Sequence, residues 1–227
     1  TYELERNRGI TIFSKQAVME LGDFQVTLLD TPGHVDFSAE MERTLQVLDY
    51  GILVVSGADG VQGHTQTLWH LLKRYQIPVF LFVNKMDQPG TDRMKLMEEL
   101  KKRLDENCID FSQIHDEEWQ EQIAMCDEEL LEQYVEEGTV EEGRIPELIW
   151  ERKLFPCFFG SALKMTGVEE FVRGMQENMV LPAYPGIFGA KIYKIGRDAQ
   201  NTRLTYMKIT GGSLKVKTVL PGTGQEN

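Results

Sequence analysis

Apolar and polar positions along this chain switch repeatedly between a two-residue and a 3.6-residue period. Gln16 to Leu21 and Phe24 to Leu29 read as two strands joined by a Gly22-Asp23 turn. A helix is expected from Val35 to Leu48, because Phe37, Met41, Leu45 and Leu48 fall on one face. Gly51 to Val55 is an unbroken apolar run, the pattern of a strand buried on both sides. Thr65 to Tyr75 predicts a helix burying Leu68, Leu71 and Leu72, and Pro78 to Val83 a second buried strand. Arg93 to Leu104 predicts a helix with Met97, Leu100 and Leu104 inward. Helical patterns follow around Leu130 and Leu148, then a buried strand from Leu154 to Phe159. A capping box, Thr166-Gly167-Val168-Glu169, announces a helix with an apolar stripe at Val168, Phe171, Val172 and Met175.

The period changes near Leu181-Pro182-Ala183-Tyr184-Pro185-Gly186, which reads as a linker. Beyond it Ala190 to Ile195, Arg203 to Ile209 and Leu214 to Leu220 read as strands, with a Gly211-Gly212 turn. The expected organisation is therefore an α/β doubly wound sheet over residues 1–182 and the start of an all-β barrel domain over 183–227. Three strands are too few to close a barrel.

Composition and charge refine this picture. At 227 residues, 41% hydrophobic and 26% charged, the chain has the make-up of a soluble globular protein. No apolar stretch is long enough to span a membrane. The cysteines, Cys108, Cys126 and Cys157, lack metal or disulfide spacing, which fits a reducing cytoplasm. The net charge of −12 is uneven: residues 105–151 hold 17 acidic residues against Arg144 alone, a net of −16, so the rest carries +4. The acidic stretch reads as a solvated helical face, or as a docking surface for a basic partner protein. The local positive balance elsewhere leaves phosphate contact open.

Four motifs carry candidate chemistry, in order along the chain. In Glu5-Arg6-Asn7-Arg8-Gly9-Ile10-Thr11-Ile12, the Thr11 hydroxyl can close on Mg²⁺ and a γ-phosphate. In Asp30-Thr31-Pro32-Gly33-His34, at a strand end, Asp30 can hold a Mg²⁺ water. Gly33 lets a backbone N–H approach the terminal phosphate, and His34 can orient an attacking water. Asn84-Lys85-Met86-Asp87 follows a buried strand, where doubly wound sheets place ligand loops. The Asp87 carboxylate can accept both N–H groups of a guanine edge, a donor pair that adenine lacks. Asn84 holds the neighbouring loop and the base, and the Lys85 stem lies over the ring. Ser161-Ala162-Leu163, after the next strand, offers backbone N–H groups to the guanine carbonyl. His64, His70 and His115 lack such neighbours.

These motifs resemble those of translational GTPases of the elongation factor G type, and the resemblance extends over nearly the whole chain. Phe82 to Asp92, Asp127 to Tyr134 and the compact region between Asp87 and Ser161 are most similar to the ribosomal protection proteins of tetracycline resistance. The resemblance implies a cytoplasmic, monomeric GTPase with GTP or GDP and Mg²⁺ as ligands and the ribosome as partner. Elongation factor G proper, a release-factor-type GTPase and a non-catalytic interaction fragment are the alternatives. It further implies that Thr11 and Asp30 serve Mg²⁺, Gly33 the γ-phosphate, His34 the hydrolytic water, and Asn84, Lys85, Asp87, Ser161, Ala162 and Leu163 the guanine base.

These residues contain no Gly-x-x-x-x-Gly-Lys-Ser/Thr, the loop that cradles β- and γ-phosphates. In the family it precedes the Thr11 segment. Its strand would lie between the one ending at Asp30 and Gly51–Val55, leaving a gap in the sheet. The 227 residues alone are therefore expected to bind GTP weakly and hydrolyse it negligibly. A fluorescent-nucleotide titration checks this, and tight binding by the isolated chain contradicts it.

Overall fold

The computed structural model describes residues 15–31, 38–112, 116–198 and 200–218. It opens with an antiparallel hairpin, β1 (Lys15–Leu21) and β2 (Phe24–Asp30), followed by helix α1 (Ser38–Leu45). The expected helix is thus shorter at its end, and its first residues, 35–37, lie outside the described residues. Strand β3 (Gly51–Ser56), helix α2 (Gly63–Arg74), β4 (Val79–Asn84) and helix α3 (Arg93–Arg103) come next. Then follow β5 (Cys108–Asp110), α4 (Glu117–Ala124), α5 (Glu128–Glu137), α6 (Ile145–Trp150), β6 (Phe155–Phe159) and α7 (Val168–Asn178). Strands β3, β4, β6 and β5 form one parallel sheet in that order.

The unbroken apolar run of β4 explains its central place, because each of its faces meets a helical layer. Leu81 and Val83 pack with Trp69 and Leu72 of α2 and Leu96 and Leu100 of α3. Phe80 and Phe82 pack on the other side with Ile123 of α4, Ile149 of α6 and Phe171 of α7. The Phe171 ring lies 5.2 Å from Phe82 and 5.4 Å from Phe158, a spacing typical of favourable aromatic pairs. Arg152, between α6 and β6, lies over both Trp69 (5.3 Å) and Phe155 (5.1 Å) and donates to the Ile77 carbonyl. It closes one end of this core.

Strand β3 departs from expectation. Leu53 and Val55 are buried, but Ile52 and Val54 are 37% and 56% exposed. Among the described residues only one face of β3 is covered, and β4 is its only strand partner. The hairpin β1–β2 forms its own sheet, with no pairing to β3 among the described residues.

Two further expectations are corrected. The capping box before α7 does not form: the N-cap is Gly167, at φ +73°, with no side-chain cap bond. Thr166 is instead held through its backbone, exchanging N–H···O bonds with Ser161 (2.9 and 3.1 Å). Leu214 to Leu220 forms no strand among the described residues. A turn closes on Thr218 N–H to Lys215 O (3.2 Å), with Lys217 at φ +64° and Val216 92% exposed. Among the described residues the run has no strand to pair with, so extending would leave its backbone groups unbonded. Residues 219 and 220 lie outside the described residues.

Strand β5 and helix α4 escaped the sequence reading. The former is three residues long, and the latter hides its buried Trp119, Ile123 and Ala124 among acidic neighbours. Two helices of this acidic region start on carboxylates: Asp116 accepts from Trp119 N–H (2.9 Å) in α4 and Asp127 from Glu129 N–H (3.2 Å) in α5. Its one cation, Arg144, and the flanking Lys153 are ion-paired. Lys153 meets Asp127 (2.8 Å) and Glu151 (2.9 Å), and Arg144 meets Glu147 (2.9 Å).

The chain divides into two compact units, Thr1–Val180 and Leu181–Asn227. The second holds the antiparallel pair β7 (Gly189–Arg197) and β8 (Arg203–Gly211), with a register shift between Ile192 and Lys194. Among the described residues no helix is long and apolar enough to cross a membrane.

Gly174 of α7 sits so close to the sheet that a Cβ there would overlap the Phe158 ring. An alanine in mid-helix is normally favourable by up to about 1 kcal/mol. Here Gly174→Ala is expected to destabilise by about 1–3 kcal/mol, because the buried ring must move. Urea unfolding measures the sign.

Candidate functional site

The C-terminal ends of β3, β4 and β6 lie side by side, so the loops after them share one edge of the sheet. Crevices at such edges are where open α/β sheets bind ligands. The loop after β4 carries Asn84, Lys85, Met86 and Asp87, and the loop after β6 carries Ser161, Ala162 and Leu163.

One side chain joins these loops. Asn84 Oδ1 accepts the N–H of Lys85 at 2.8 Å and the N–H of Ala162 at 2.9 Å. Both lone-pair directions of one carbonyl oxygen are used, which fixes the amide plane. The backbone repeats the connection: Met86 N–H donates to Gly160 O at 3.0 Å, and Gly160 N–H to Val83 O at 2.9 Å. On the other side Gly57 N–H donates to Asn84 O at 2.7 Å. Lys85 takes φ +64°, a left-handed turn that directs the chain out of the strand.

Two glycines permit this closeness. A Cβ on Gly160 would overlap the Thr166 carbonyl oxygen, and one on Gly57 would lie 2.8 Å from Met86 Sδ. Thr91 Oγ1 stands 3.0 Å from the carbonyl oxygens of both Met86 and Gln88, so its hydroxyl braces the far side of the loop. Asp92 then caps α3, accepting from Met94 N–H (3.1 Å) and Lys95 N–H (3.2 Å).

The second loop closes on itself. Ser161 is 2% exposed, its N–H reaches Thr166 O, and its Oγ accepts Lys164 N–H at 3.3 Å. Lys85, Asp87, Ala162 and Leu163 remain exposed, Leu163 at 86%. The structure thus brings Asn84, Ser161 and Ala162 together through their loops and leaves Asp87 and Lys85 open to solvent. The Ala162 N–H is donated to Asn84 Oδ1, which ties the two loops together. Asp30 ends β2, on the separate hairpin, and is exposed. Thr11, Gly33 and His34 lie outside the described residues.

Gly57, Gly160 and Thr91 belong to this site and were not singled out from sequence, and Thr166, read there as a helix cap, joins them through its backbone. A glycine directly after each of two buried strands was the available signal for the first two.

A family model described as the elongation factor Tu GTP binding domain matches residues 1–180. The tetracycline resistance protein TetP of Clostridium perfringens is 31% identical over 239 residues, covering 95% of this chain and 37% of its own length. The oxytetracycline resistance protein of Streptomyces rimosus is 34% identical over 239 residues, covering 93% of this chain and 36% of its own length. A crystal structure of a Thermus thermophilus protein superimposes with a TM-score of 0.81 at 23% identity, over 93% of this chain and 39% of that one. The last likeness concerns the fold alone. The chain spans little more than a third of the relatives it matches.

Removing the Asn84 carboxamide frees two amides at once. Asn84→Ala is expected to speed hydrogen exchange at Lys85 and Ala162 by about tenfold or more, the factor for about 1–3 kcal/mol of lost hydrogen bonding. Amides of mid-β4 such as Leu81 serve as the unaffected control. Uniform acceleration across β4 contradicts a local tie.

Proposed function

Because the chain belongs to the elongation factor Tu GTP-binding domain family, we propose that its C-terminal sheet edge is a guanine site and that the whole protein hydrolyses GTP on the ribosome. The observation that supports this best is the Asn84 bridge, with Oδ1 holding the Lys85 and Ala162 amides. It sets two loops at a fixed separation and leaves the Asp87 carboxylate exposed beside them. A planar base with two adjacent N–H donors suits that carboxylate. The exposed Lys85 stem and the Ser161-Ala162-Leu163 backbone complete its surroundings.

The phosphate end is assigned to the other motifs. Thr11 and Asp30 are hard oxygen donors of the type Mg²⁺ accepts beside phosphate, Asp30 through a water. The ion, when bound, neutralises charge on the phosphates. Gly33 offers its N–H to the γ-phosphate, and His34 orients the water that attacks phosphorus. Positioning and charge stabilisation carry most of such a reaction.

The names of the relatives suggest the setting. We take the whole protein to be a monomeric, cytoplasmic ribosomal protection protein of the tetracycline-resistance type, with residues 1–182 as GTP-binding domain and 183–227 as the start of a β-barrel domain.

In the full-length protein, His34→Ala should lower ribosome-stimulated GTP hydrolysis by about 10²-fold or more while leaving the GTP dissociation constant within a few-fold. Stopped-flow hydrolysis and equilibrium binding separate the two. Equal losses in both would make His34 a structural residue.

A further inference from the structure

Arg93 opens α3, six residues after Asp87. Its Nε donates to Asp110 Oδ2 at 2.6 Å, and its guanidinium carbon lies 5.0 Å from the centre of the Phe159 ring. Asp110 ends β5, and Phe159 ends β6 and leads through Gly160 into Ser161. The second oxygen of the same carboxylate accepts the N–H of Ser112 at 2.9 Å. Ser112 Oγ in turn accepts the Phe159 N–H at 3.1 Å. The contacts close a ring, Arg93 to Asp110 to Ser112 to Phe159 and back to Arg93.

The ring lies behind the two base loops. It fixes the start of α3, and so the far end of the Asn84–Asp87 loop, against the strand that delivers Ser161. The ion pair is largely shielded, its side chains 30% and 18% exposed, so it is less screened than a surface pair. Arg93 Nη2 is buried without a hydrogen-bond partner among the described residues. An unsatisfied buried donor costs free energy, so the side chain is held by the carboxylate and the ring against that cost.

We propose that Arg93 is a positioning residue for guanine selection. By clasping β5 and β6 to the start of α3, it sets the distance between the Asp87 carboxylate and the Ser161-Ala162-Leu163 backbone. This rests on the guanine-site reading. Lysine would keep the charge and lose the planar stack on Phe159. Leucine would lose both.

The test uses the full-length protein and compares GDP with inosine diphosphate, which lacks the 2-amino group that Asp87 would accept. Asp110→Asn, nearly isosteric, carries the test if Arg93→Leu fails to fold. Both variants should weaken GDP binding roughly tenfold and inosine diphosphate binding less, so that the preference narrows. Arg93→Lys should recover part of it. An unchanged preference ratio overturns the proposal, as does an equal loss for both nucleotides. Hydrogen exchange at the Phe159 and Met86 amides reads the clasp without nucleotide. It should quicken in Asp110→Asn, and unchanged exchange also overturns the proposal. A wild-type protein that binds neither nucleotide would sink the guanine-site reading instead, and the exchange result would still judge the clasp.

Discussion

The arrangement depends on one oxygen atom. Asn84 Oδ1 accepts amides from its own loop and from the loop after β6, two segments nearly eighty residues apart in sequence. Each bond is ordinary in length. Their common acceptor makes them a constraint, because neither loop can shift without giving up a bond in the other. Met86 to Gly160 and Gly57 to Asn84 add backbone ties in the same place. Two glycines allow the chains to come that close.

The sheet supplies the frame for that contact. Strand β4 is buried on both faces, by α2 and α3 on one side and by α4, α6 and α7 on the other. A strand enclosed in this way ends at a fixed point. Asn84 stands at that point, with Ser56 beside it in register on β3 and Phe159 beside Val83 on the other flank. The edge at β3 has a different character, with Ile52 and Val54 exposed. The base loops therefore sit over the well-packed part of the sheet, and the candidate phosphate motifs belong to the chain that precedes β3.

Much of this was legible in the sequence, for physical reasons. Val79-Phe80-Leu81-Phe82-Val83 reads as a two-sided strand, so the position of Asn84 followed, whereas the similar run Gly51–Val55 proved to be covered on one face. The helices α2, α3 and α7 were equally plain, although the stripes of α2 and α3 left out Trp69 and Leu96, which are buried. Strand β5 was hidden because three residues carry no period. Helix α4 was hidden because its buried Trp119, Ile123 and Ala124 are outnumbered by charge. The capping box before α7 misled because a backbone exchange between Ser161 and Thr166 outcompetes a side-chain cap. The Arg93 circuit could not be read at all, since its members lie on three segments that only the fold assembles. The candidate site was thus visible as a set of motifs, while the bonds that make it rigid were not.

The central claim is that the edge formed by Asn84, Asp87 and Ser161 selects guanine. It is tested most directly by competition binding to the full-length protein, with labelled GDP displaced by unlabelled GDP or ADP. The account predicts displacement by GDP at stoichiometric levels, and by ADP only at concentrations at least about 10³-fold higher, because adenine lacks the donor pair and leaves a carboxylate unpaired. Equal displacement by the two nucleotides would contradict it.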